Sequence, residues 1–136
     1  MIIDAKQTVL GRLAAVAAKQ ALLGNPVEIV NCEQAIISGR RENVFAKYKR
    51  KRKLGGPFQG PFIPRNPDMF VKRVIRGMLP YKQYKGRKAF ERIRCYAGIP
   101  AKLQGQQAEQ VADGMSLAMS RYVTVQEICR QLGSKR

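Results

Sequence analysis

The chain has 136 residues, 45% of them hydrophobic, which suits one folded domain with a buried core and excludes a chain disordered throughout. Against 26 Lys and Arg stand only 9 Asp and Glu, a formal net charge of +17 that calls for an anionic partner: nucleic acid, an acidic membrane surface or an acidic protein. The absence of His removes the commonest general base and zinc ligand, and the three cysteines (Cys32, Cys95, Cys129) form no CxxC pair, so they read as buried thiols of a reducing compartment.

The first 39 residues are electrically balanced, with three bases and three acids. Ile2-Ile3-Asp4 reads as a short strand. Leu10, Leu13, Ala14, Ala17 and Ala21 then recur at helical spacing, with Thr8 as the expected N-cap and Gly24-Asn25-Pro26 as the stop. Val27 to Asn31 is β-branched and short, hence a strand. Ala35 to Ser38 is a further short apolar run ended by Gly39. Strand, helix and strand in this order predict a βαβ unit with a parallel pair.

Residues 40–102 hold 19 bases against three acids (Glu42, Asp68, Glu91), which is +16 of the total. Arg40 to Lys53 predicts a helix with Val44, Phe45 and Tyr48 on one face. Its pentabasic run Lys49 to Lys53 leads into Gly55 to Pro64, where three glycines and three prolines in ten residues exclude regular structure. This loop carries Phe58 and Phe62. Asn66-Pro67-Asp68 marks a helix start, and Phe70, Val71, Val74, Ile75 and Met78 form its apolar stripe. Lys72, Arg73 and Arg76 face away from that stripe, and Pro80 ends the helix. Gly86 to Ile93 predicts a shorter helix with Ala89, Phe90 and Ile93 inward, and Arg94 to Ala97 a strand. Lys102 to Asp113 reads as an extended tail or a weak helix. Thr124-Val125-Gln126-Glu127 is a capping box, followed by the stripe Val125, Ile128, Cys129 and Leu132 of a docking helix over 124–132.

Charged residues ordinarily form a solvated helix surface, but sixteen uncompensated charges repel one another unless an anion neutralises them. Nucleic acid fits best, because the bases come from several elements and alternate with aromatics. The expected RNA-binding residues fall into three patches. The first is Arg40, Arg41, Lys47, Lys49, Arg50, Lys51, Arg52 and Lys53, with Phe58 on the adjoining loop. The second is Arg65, Lys72, Arg73 and Arg76. The third is Lys82, Lys85, Arg87 and Lys88. Tyr48, Phe62, Tyr81 and Tyr84 are further rings that could stack on bases, with core packing the preferred role for Tyr48.

Signals for an enzyme are weak. Gly55-Gly56-Pro57 lacks the Gly-Lys-Ser/Thr ending of a phosphate loop, and Leu10-Gly11-Arg12-Leu13 has one glycine where a dinucleotide fingerprint needs three. No acid–base pair, metal site, cofactor or small-molecule substrate is expected. No apolar run approaches the roughly 20 residues of a membrane span, and the N-terminus lacks a signal-peptide pattern. A cytoplasmic location follows.

Leu10-Gly11-Arg12-Leu13-Ala14, Val30-Asn31, Ser38-Gly39, Arg76-Gly77-Met78-Leu79-Pro80, Gly86-Arg87 and Tyr96-Ala97-Gly98-Ile99-Pro100 resemble, in order and spacing, the large-subunit ribosomal protein thirteen family. Gly55-Gly56-Pro57-Phe58 and Gly98-Ile99-Pro100 are similar to its archaeal and eukaryotic branch. The likeness covers residues 2 to 100 and weakens beyond Lys102. It implies a three-layer α/β/α fold around a four-stranded, mostly parallel sheet, with peripheral basic helices and loop. It also implies no catalysis, binding to large-subunit rRNA, neighbouring ribosomal proteins as partners, and a cytoplasmic place in the ribosome. The expected organisation is one domain over 1–136, with a basic extension at 40–65 and a tail at 102–136. Two other functions compete: a nucleotide-binding enzyme on a Rossmann-like core, and a free RNA-binding regulator outside the ribosome.

Overall fold

In the computed structural model of the protein, residues 1–111 and 121–135 are described. Along the chain come β1 (Ile2–Asp4), α1 (Leu10–Leu22), β2 (Val27–Val30), β3 (Ile36–Ser38), α2 (Arg41–Lys53), α3 (Pro67–Met78), α4 (Tyr84–Glu91), β4 (Ile93–Cys95), β5 (Glu109–Gln110), β6 (Tyr122–Thr124) and α5 (Val125–Gln131).

β1 and β2 are parallel, with Ile3 opposite Ile29, and α1 connects them as the hydrophobic periodicity predicts. Leu10, Leu13, Ala14, Ala17, Ala18 and Ala21 are buried on one side of α1. The alanine side chain is only a methyl group, so α1 can lie close against α3 and α4. Thr8 does not cap this helix: Val9 occupies the cap position. The chain turns at Lys6-Gln7, and the Thr8 hydroxyl donates back to the Lys6 carbonyl at 3.3 Å, which takes it away from the helix.

The sheet has strand order β4-β2-β1-β5, and every pairing in it is parallel. The architecture is thus a mixed α/β fold. Its last strand lies in the stretch expected to be extended or weakly helical. Glu109 and Gln110 pair with Ile3 and Asp4 by backbone alone, without the apolar alternation that would announce a strand. Residues 112 and 113 of that stretch, and 112–120 and 136 of the expected tail, lie outside the described residues. β3 stands apart from this sheet and pairs antiparallel with β6, Ile37 opposite Val123.

α3 starts at Pro67 with Asp68 in its first turn, although the Asn66 side chain makes no cap bond. Phe70, Val71 and Ile75 are buried and Val74 is half-buried, but Met78 is 45% exposed. Met78 sits beside Leu22 and Leu23, where α1 and α3 both end, so among the described residues nothing covers it. α4 begins at Tyr84, two positions earlier than its glycine signalled, and Ile93 opens β4 instead of ending the helix. Phe90 is half-buried, while Ala89 and Ile93 are fully buried. Cys32 and Cys129 are buried as expected, whereas Cys95 is only half-buried.

α5 carries the capping box read from the sequence. The Glu127 amide donates to Thr124 Oγ1 at 3.3 Å, and the Thr124 amide donates to Glu127 Oε2 at 3.2 Å. Val125, Ile128 and Cys129 bury this helix against α2 and α3. Burial raises the Cys129 thiol to about 12, with a smaller contribution from the Asp68 carboxylate. The Cys32 thiol is also raised, first by its contact with the Cys95 thiol and then by burial.

Candidate nucleic-acid interface

α2 is a helix built to be seen from outside. Of its side chains only Val44 is fully buried, with Phe45 and Tyr48 half-buried beside it. Tyr48 packs its ring 5.2 Å from that of Phe70, which gives it the core role preferred above. Burial raises the Tyr48 hydroxyl above its ordinary value. Arg50, Lys51, Arg52 and Lys53 occupy the last turn, where the negative end of the helix dipole favours cations. The helix is tied down at both ends. Arg41 pairs with Glu127 at 3.3 Å, and Arg52 donates to the Leu132 carbonyl at the end of α5.

The first two patches meet between α2 and α3. Lys51 of α2 and Arg73 of α3 line one groove of about 420 Å³ together with Tyr48, Phe70 and Val74. Arg73 also donates to the Phe62 carbonyl, which anchors the Gly/Pro loop to α3. Arg65 is exposed, and a Cβ on Gly133 would stand 3.6 Å from its Nη1 and 3.8 Å from Arg52 Nη1. The C-terminal turn therefore lies beside this surface, and α5 and that turn carry two further exposed bases, Arg130 and Lys135. Those two bases were not among the expected site residues. Their signal was the capped docking helix, whose place could not be known before the fold.

α3 also links the second patch to the third. Lys72 lies 4.9 Å over the Phe90 ring of α4 and is half-buried, so it does not face fully away from the apolar stripe. Arg76 lies 4.6 Å over the Tyr81 ring. Lys88 pairs with Glu91 at 3.1 Å, which raises its pKa, and lies over the Tyr84 ring. Arg41 and Lys51 stand over Phe45 and Tyr48. Several of the face's bases thus hold their charged heads over aromatic rings of the protein. Tyr48, Tyr81 and Tyr84 are consequently occupied by the protein's own cations.

Arg40, Lys47, Lys49, Arg50, Lys53, Lys82, Lys85 and Arg87 are exposed, and among the described residues they take part in no side-chain hydrogen bond or ion pair. These heads are available to an anion. Two of the acids near the face, Glu91 and Glu127, are already paired, and Asp68 is half-buried at the start of α3. Phe58 is 93% exposed at the tip of the loop.

The carboxyl ends of the parallel strands, where a nucleotide fold would seat its phosphates, are acidic instead. Asp4 ends β1 and accepts from Asn31 Nδ2 at 2.9 Å, and Glu33 follows β2 and accepts from the Gly98 amide at 2.9 Å. Among the described residues no three His, Cys, Asp or Glu side chains stand close enough to hold a metal ion. No helix among them is long and apolar enough to cross a membrane.

Fold and face together define an α/β scaffold protein with a concentrated polycationic surface and, among the described residues, no catalytic constellation. The family model described as Ribosomal protein L13 matches residues 1–102. Large ribosomal subunit protein uL13 of Methanococcoides burtonii is 43% identical, over 98% of this chain and 98% of its own length. The proteins of the same name from Archaeoglobus fulgidus and Haloarcula marismortui are each 42% identical, covering 97% and 100% of this chain and 86% and 92% of theirs. The chain belongs to the ribosomal protein L13 family, a structural and not a catalytic one.

Proposed function

We propose that this protein is a structural component of the large ribosomal subunit in the cytoplasm. It binds folded rRNA through the surface of α2, α3 and α4 and holds rRNA segments in their assembled arrangement. The observation that carries this reading is the union of the three basic patches. Lys51 with Arg73, and Lys72 with Phe90, join α2, α3 and α4 into one surface on which Arg40, Lys47, Lys49, Arg50, Lys53, Lys82, Lys85 and Arg87 take part in no side-chain hydrogen bond or ion pair among the described residues. Such a surface suits the regular negative charge of a folded RNA backbone, which Arg meets with two nitrogens and Lys as a point charge. Relatives named as large-subunit proteins support the ribosomal setting. The chain acts as one domain in which the basic extension at 40–65 belongs to the fold. Other large-subunit proteins are its neighbours, and no small molecule or membrane takes part.

Sucrose-gradient fractionation of cell extract tests this directly. The protein should sediment with large subunits, and release by high salt should accompany loss of rRNA contact. If it stays at the top of the gradient while still binding RNA, it is a free regulator. A nucleotide-dependent rise in melting temperature would instead indicate an enzyme-like core.

A further inference from the structure

The loop after α2 holds an aromatic ring out in solvent by three separate devices. Pro57 and Phe58 occupy the corners of a turn closed by the Gln59 amide donating to the Gly56 carbonyl at 3.2 Å. Proline fixes the first corner. Below the turn the two limbs touch at Gly55 and Gly60. A Cβ on Gly55 would stand 2.4 Å from the Gln59 carbonyl oxygen, and one on Gly60 would stand 2.2 Å from that of Leu54. Both residues have positive φ, +87° and +115°, so glycine is required twice over. The neck is thus closed by backbone, and Phe58 is placed at its tip instead of being left on a floppy segment.

No contact among the described residues gains from this placement. Among the described residues Phe58 has no ring or cation partner, unlike Tyr48, Tyr81 and Tyr84. A large apolar side chain kept in water on a fixed mount is a contact waiting for a partner. The surrounding charge selects that partner. Residues 43–67 carry seven bases, from Lys47 to Arg65, and no acid. A protein pocket offered to this tip would have to be acidic around an apolar centre. An unpaired nucleobase supplies an apolar face flanked by phosphates, which matches a ring flanked by cations.

We propose that the Gly55–Gly60 loop is a stacking site for an unpaired or bulged nucleobase of rRNA, with Phe58 as the stacking platform and Lys49 to Lys53 on the flanking phosphates. This rests on the rRNA-binding reading above and names the RNA feature that the loop takes. It also gives the loop a different duty from the helices. They meet backbone charge of any sequence, whereas the loop seeks a nucleotide that has left its helix.

The chain contains no Trp, so Phe58→Trp introduces a single emitting indole at the tip. Titration of this variant with in vitro transcribed large-subunit rRNA should quench its emission and shield it from acrylamide. Phe58→Ala and Phe58→Leu should each weaken binding by about tenfold to a hundredfold at unchanged salt dependence. Their melting temperatures should match the wild type, since the ring is free in the protein. Gly60→Ala should weaken binding as well, by distorting the neck. Stacking is overturned if Phe58→Leu binds as tightly as wild type. It is also overturned if the Trp emission ignores RNA and responds to a large-subunit protein fraction instead. Failure of the wild-type protein to bind rRNA at all would sink the underlying reading, a different outcome from intact binding by Phe58→Ala.

Discussion

The pentabasic run should separate into residues that only meet RNA and one that also holds the fold. Lys49 and Arg50 are exposed and have no partner among the described residues, and Ala is the best helix former, so Lys49→Ala/Arg50→Ala should change stability by less than about 0.5 kcal/mol. Arg52 differs because its guanidinium donates to the Leu132 carbonyl, a partly buried bond that fastens α2 to the end of α5. A charge-assisted bond of this kind contributes about 1–2 kcal/mol, which for a chain of this size means about 3–10 °C in Tm. The double variant is the control for charge. It relieves more self-repulsion than Arg52→Ala does, without breaking a bond. Thermal melts by circular dichroism give the stability arm, and filter binding to rRNA gives the affinity arm. The double variant should lose RNA affinity at unchanged Tm, while Arg52→Ala loses both. An Arg52→Ala protein that melts with the wild type would refute the structural role, and a double variant that loses several degrees would refute the view of α2 as a free-standing basic surface.

Two helical glycines should respond oppositely to alanine. Gly77 has nothing within 4 Å of an added Cβ, so Gly77→Ala should stabilise by about 0.5–1 kcal/mol. A Cβ on Gly86 would stand 2.1 Å from the Pro80 carbonyl oxygen, so Gly86→Ala should cost about 2 kcal/mol or more in urea denaturation despite the same gain in propensity. Thr124→Ala removes one bond of the capping box and should cost about 1 kcal/mol, read as a lower denaturation midpoint. Iodoacetamide at pH 8 should label Cys95 alone in the native protein, because Cys32 and Cys129 are buried with raised pKa values; rapid native labelling of Cys129 would contradict its packing.

The elements easiest to read were those whose signal is local. The α1 periodicity, the Asn66-Pro67-Asp68 start and the Thr124 to Glu127 box each lie within a few residues and appear where expected. Elements defined by distant partners were harder to read. β5 is two polar residues whose only claim to be a strand is the backbone of β1. β3 finds its partner at Tyr122–Thr124, far along the chain. Met78 continues the α3 stripe but lies past the end of α1, so position decided its exposure where periodicity could not. At the candidate site the charge imbalance announced the surface without its internal order. Which bases rest on rings, which two tie α2 to α5 and which have no partner among the described residues depends on tertiary contacts. The Gly/Pro composition of the loop marked it as irregular, yet its closed neck follows from limbs meeting at Gly55 and Gly60.

The central claim is that exposed bases on α2, α3 and α4 neutralise rRNA phosphates. Its most direct test is the dependence of rRNA affinity on monovalent salt. If roughly eight of these bases meet phosphates, log K should fall against log salt with a slope of about −6. The slope should stay the same from pH 6 to 8, because the chain has no His to titrate there. A slope near zero would contradict the account.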